Sequence, residues 1–98
     1  MPKLTRQEIR AIVDGEAQFS EKWDRERANY TLPDAQKPIG EWLTYMDVYL
    51  HAAKKAATLA DTTMALNNLR CLINLGEACA QNHGLPARAE GDNTDLYE

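Results

Sequence analysis

The sequence predicts an all-α fold: a three-helix unit built on an antiparallel helical hairpin, assembled into a helical-bundle oligomer. Three observations point there. Apolar residues recur at three- and four-residue intervals over three segments, the spacing of one helix face. Each segment is bounded by residues that cap or break helices. The second and third segments are about 20 residues each and are joined by a tight turn, which makes them antiparallel neighbours.

The first helix begins at "TRQE". Thr5 can cap it, and Glu8 stands three residues on, as a capping box requires. Ile9, Ile12, Val13, Phe19 and Trp23 supply its apolar stripe, and Gly15 weakens its middle by up to about 1 kcal/mol. The run "EKWDRER", Glu21 to Arg27, carries both signs of charge at helix-pair spacings and reads as a solvated face or a docking surface.

"NYTLPDAQKP", Asn29 to Pro38, ends that helix, since Pro33 and Pro38 each disfavour helix at the residue before them. Pro38 also suits an early position of the second helix, where its missing N–H costs nothing. The stripe of that helix is broad: Ile39, Trp42, Leu43, Met46, Tyr49, Leu50, Ala53 and Ala57. Ala52, Ala53, Ala56 and Ala57 leave room for a close neighbour.

"LADTTMAL" is the turn into the third helix, with Asp61 or Thr62 as its cap. Leu66, Leu69, Leu72, Ile73, Gly76 and Cys79 or Ala80 form the expected inward face. Gly84 fits a left-handed position after the last turn, Pro86 blocks continuation, and His83 suits the negative end of the helix dipole. Residues 1–86 thus make a single helical domain. Residues 87–98, "ARAEGDNTDLYE", set four acids against one arginine with little to bury, and are expected to be a flexible acidic C-terminal tail.

The totals narrow the function. A chain of 98 residues buries a thin core, and small three-helix units gain by pairing with copies of themselves. A net charge of −4 argues against general nucleic-acid binding, which needs a basic surface. No apolar run reaches the roughly 20 residues that span a bilayer, and "MPKLTRQEIR" lacks the apolar core of a signal peptide. The expectation is a cytoplasmic protein with no membrane partner. Cys71 and Cys79 on one helix lie roughly 12 Å apart, beyond the roughly 7 Å a disulfide allows. They read as small buried apolar residues.

"EKWD", a proline-containing loop, "GEWLTYM" opening a long helix, and then "ALNNLRCLINLGEACAQNHG" resemble the small MazG-like proteins of the all-α nucleotide pyrophosphohydrolase superfamily, common in phage and prophage genomes. The resemblance covers roughly Ser20 to Arg88. It implies magnesium held by a Glu-Glu-x-x-Glu cluster on one helix and Glu-x-x-Asp on the next, neutralising the phosphates of a nucleoside triphosphate. This sequence departs from that pattern. Met46, Asp47, Val48, Tyr49, Leu50, His51 and Ala52 stand where the first cluster belongs, and Asn67, Asn68, Leu69, Arg70 and Cys71 where the second does. The family's catalytic residues therefore do not carry over. Asp47, His51 and Glu77 are the residual metal candidates, with a surface hydrogen bond as the alternative for the Asp47 and His51 pair.

Cations and planar side chains stand in their place. Arg70, Lys54 and Lys55 can pair with phosphate, Asn67 offers an amide beside Arg70, and Trp42, Tyr45 and Tyr49 offer flat faces for a base. Solvated lysines and aromatic core or interface anchors are the plainer readings. Arg70, if buried, needs an acidic partner or a ligand. The first expectation is a non-catalytic homo-oligomer that needs no cofactor and binds a nucleotide, a cyclic nucleotide or another phosphorylated signal; by analogy of size and setting, it could be a phage protein that sequesters such a signal against host defence. The alternatives are a divergent magnesium-dependent pyrophosphohydrolase using Asp47, Glu77 and Glu41 or Glu16, and a protein–protein interaction module.

Overall fold

The computed structural model describes residues 3–26 and 34–89, with the side chains of 21–26 left aside. Expectations placed on Trp23, on the charged run Glu21–Arg27, on 29–33 and on the tail beyond 89 fall outside the described residues. The described chain is all-helical: α1 is Arg6–Glu26, α2 is Ile39–Thr58 and α3 is Thr62–His83, with a single 3₁₀ turn at Asp34–Gln36 before α2.

Local chemistry sets the ends. Thr5 and Glu8 form the capping box: the Thr5 N–H donates to Glu8 Oε1 at 3.0 Å, and the Glu8 N–H donates to Thr5 Oγ1 at 3.1 Å. These two donors have no partner within the helix, so the box satisfies both at once. Pro38 caps α2 in an extended conformation, one position before the first helical residue. Asp61 caps α3, its carboxylate accepting from the Met64 N–H at 3.1 Å.

The α2–α3 turn is a Schellman motif. The Asp61 N–H reaches back to the Ala56 carbonyl and the Ala60 N–H to the Ala57 carbonyl. This closure holds Ala60 at φ 59°, a left-handed position that favours glycine. At the far end of α3, Gly84 takes φ 89° with an extended ψ of 169°, rather than the full left-handed geometry expected there.

α2 and α3 pack closely along their length as an antiparallel hairpin. Small residues permit the approach: a Cβ at Gly76 would sit 3.5 Å from Met46 Cε. α1 packs on α3 and does not reach α2 among the described residues. Glu16 meets Arg70 and Ser20 meets Asn74, both separated by 54 residues, so α1 runs parallel to α3.

The buried apolar set is small: Val13, Trp42, Ala56 and Cys79. Two inward faces differ from expectation. On α3, Leu66, Leu69 and Ile73 are exposed, while Asn74 is buried. On α1, Val13 is buried but Ile9, Ile12 and Phe19 are exposed. The reason is the placement of α1, whose contact with α3 runs through Glu16 and Ser20 and covers the Asn74 side of α3. No helix among the described residues lies over the opposite side of the hairpin. Among the described residues, no helix is long and apolar enough to cross a membrane.

Candidate ligand cleft

Because α1 touches α3 and not α2, a cleft of about 400 Å³ opens between α1 and α2, with α3 as its floor. That volume lies at the lower end of the range for small-molecule sites. Trp42, Tyr45 and Tyr49 come from α2, one turn apart in series, and form an aromatic wall. Cys71, Asn74, Leu75 and Ala78 form the floor, and Asp14, Glu16, Ala17, Phe19 and Ser20 the facing wall. Asp34 and Lys37, just before α2, close one end.

A polar seam ties α1 to the floor. Arg70 Nε donates to Glu16 Oε2 at 3.2 Å and its Nη1 to Asn67 Oδ1 at 2.9 Å. Cys71 Sγ donates to Glu16 Oε1 at 3.3 Å. Burial, then the hydrogen bond and negative charge of Glu16, push the Cys71 thiol above its ordinary pKa, with Arg70 opposing. Asn74, buried, donates to Ser20 Oγ at 2.9 Å, so its amide nitrogen is satisfied.

At the closed end Lys37 is held three ways. Its ammonium pairs with Asp34 at 2.9 Å and lies 5.0 Å from the Trp42 ring centre and 5.8 Å from that of Tyr45, within cation–π range. His83 Nε2 donates to the Lys37 carbonyl at 2.8 Å, pinning this segment to the end of α3. Trp42 is only 2% exposed, and among the described residues its indole N–H has no acceptor. A buried donor left unpaired costs about 1–3 kcal/mol.

The expected phosphate-binding set is therefore divided. Trp42, Tyr45 and Tyr49 share the cleft. Arg70 and Asn67 belong to the seam, where Arg70, its side chain 38% exposed, pairs with Glu16 and Asn67. Lys54 and Lys55 are exposed near the end of α2, outside the cleft lining. The cleft itself is acidic: Asp14, Glu16, Asp34 and Glu77 line it against Lys37.

The magnesium alternative receives a similar answer. Glu16 and Glu77 line the cleft, but Glu16 is taken by Arg70, Asp47 lies outside, and Glu41 accepts from the Tyr45 hydroxyl. Asp47 and His51 are exposed with no hydrogen bond between them. Among the described residues no three of His, Cys, Asp or Glu are grouped to hold a metal ion.

Sequence reasoning missed Lys37, Asp34, Asn74 and Ser20. One signal was available: Glu16 and Ser20 on α1, and Arg70 and Asn74 on α3, are polar pairs at the same four-residue spacing on helices that had to meet. No family model matches the chain, and neither a curated protein nor a solved structure matches it. The likeness to MazG-like proteins rests on the quoted residues alone.

Proposed function

We propose that this chain is a non-catalytic binding protein that works as a homo-oligomer and takes the planar part of a small ligand in the α1–α2 cleft. The observation that carries the reading is the wall of Tyr45 and Tyr49, backed by the buried Trp42, over a partly polar floor. Accessible aromatic rings one turn apart stack on a flat heterocycle.

A nucleotide fits this reading in one form: base in the cleft, phosphate outside it. The acids lining the cleft repel a phosphate, and Lys37 is already neutralised by Asp34. The oligomer is supported by the thin core of the single chain and its exposed Ile39, Leu43, Leu50, Leu66, Leu69 and Ile73.

The test is calorimetry in EDTA with adenosine, guanosine, cytidine and uridine beside their triphosphates. At least one nucleoside is expected to bind no more weakly than its triphosphate. Absence of binding by every nucleoside overturns the cleft reading. Triphosphates binding more than about tenfold tighter would return the phosphate to Arg70, Lys54 and Lys55.

A further inference from the structure

We infer that the side of the α2–α3 hairpin facing away from the cleft is the surface on which a second copy of this chain docks, two hairpins closing one four-helix bundle. This rests on the self-assembly in the reading above and names its surface.

The two sides of the hairpin follow from helix geometry. At 3.6 residues per turn, Trp42, Tyr49 and Ala56 lie along one line of α2, the line whose Trp42 and Ala56 are buried and which meets α3. Tyr45 falls to one side of that line, the cleft side, and Ile39, Leu43 and Leu50 to the other. On α3 the α1-facing residues Cys71, Asn74 and Ala78 fall on the cleft side, and Leu66, Leu69 and Ile73 on the other. The helices are antiparallel, so both apolar sets emerge on one side of the hairpin. Their exposures run from 36% at Ile73 to 54% at Ile39, too high for core residues and too regular in spacing for scattered surface ones.

The spacing is that of a helix seam. Ile39, Leu43, Met46, Leu50, Ala53 and Ala57 follow alternating steps of four and three, and Leu66, Leu69, Ile73, Gly76 and Ala80 steps of three and four. Size falls along each seam, from Leu and Ile at the start to Ala or Gly at the end. In the antiparallel hairpin the large end of α2 lies beside the small end of α3. A second hairpin related by a two-fold axis, parallel to the helices or crossing them within the face, sets large side chains over small ones across the whole contact. The surface thus complements itself. Two helices of about 30 Å set about 10 Å apart present a patch near the roughly 800 Å² per partner of a standard stable interface.

The experiment uses the full chain. Labelled and unlabelled protein are mixed, and methyl contacts that pass between copies are read by isotope-filtered NMR. Sedimentation compares wild type with Leu69→Glu and with Val48→Glu, which carries the same charge to an exposed site off the seam. Expected are inter-copy contacts among Leu43, Leu50, Leu66, Leu69 and Ile73. A dissociation constant raised by roughly 100-fold or more in Leu69→Glu, because a charge is buried unpaired, and changed less than about threefold in Val48→Glu, supports the surface. If Leu69→Glu does not fold, the wild-type contacts decide. A monomer at all concentrations overturns both this surface and the oligomeric reading. An oligomer whose inter-copy contacts fall instead on Ile9, Ile12 and Phe19 overturns the surface alone.

Discussion

Truncating Leu43 to alanine separates a one-chain core from a two-chain core by magnitude. In the single chain Leu43 is 53% exposed, so about half of its apolar surface is already in water. Losing the buried half costs about 1 kcal/mol at ordinary transfer energies, and nearby side chains can relax into the space. In a bundle of two hairpins the same residue lies in a closed core, where Leu→Ala costs 2–5 kcal/mol, and each dimer carries two copies. The assay is urea unfolding followed by circular dichroism, on wild type and L43A, at two protein concentrations roughly hundredfold apart. Association adds a second signature: dimer stability rises by about 2.7 kcal/mol per hundredfold in concentration. The account expects both the large loss and the concentration dependence. A loss near 1 kcal/mol with midpoints that ignore concentration would refute the reasoning, because it is what an isolated hairpin gives.

Three further outcomes follow from local chemistry. Ala60→Gly relieves a non-glycine residue at φ 59° and is expected to stabilise the fold by up to about 1 kcal/mol, less what glycine adds to unfolded-chain entropy; thermal melts against wild type read it. Gly15→Ala, in a helix with open space around the new methyl, is expected to gain about 0.8–1 kcal/mol in the same melts. The hydrogen bonds from the Thr5 backbone and hydroxyl end of the capping box hold the Glu8 carboxyl below its ordinary pKa. Its contribution to α1 is therefore complete above the unfolded-state value and disappears as pH falls through the lower folded value. Helicity in acid titration should show this dependence in wild type, and Glu8→Gln should weaken it.

Much of the architecture was legible because it is written at short range. Thr5 with Glu8, Asp61 before α3 and the closely spaced alanines of α2 each act within a turn or two, and each appears where local chemistry puts it. The broad stripe of α2 was legible as apolar but not as two surfaces. Trp42 and Tyr49 serve the cleft while Ile39, Leu43 and Leu50 serve the open side, and periodicity alone cannot divide them. The inward face of α3 was misjudged for the same reason. Leu66, Leu69 and Ile73 are the more apolar side, yet α1 covers Asn74 and Cys71 because Glu16 and Ser20 give those polar groups partners. Pairings across 54 residues leave only one trace in local spacing, the matched four-residue steps of Glu16 and Ser20 and of Arg70 and Asn74. Lys37 escaped notice because its role depends on three groups that only the fold assembles: Asp34, Trp42 and the end of α3 at His83.

The Cys71 thiol offers a check on the seam. Burial and Glu16 raise its pKa, so little of the reactive thiolate is present near neutral pH. Alkylation of Cys71 by iodoacetamide, followed by mass spectrometry, should be slower in the native chain than in urea and should speed up in Glu16→Gln. Equal native rates in wild type and Glu16→Gln would remove Glu16 from the account.

The most direct test of the central claim is the mass of the full chain in solution, measured by light scattering across micromolar concentrations. An incomplete single-chain core closed by a second copy predicts twice the 11.0 kDa of the chain, falling toward the single value only on dilution. A folded species of 11.0 kDa at every concentration contradicts it.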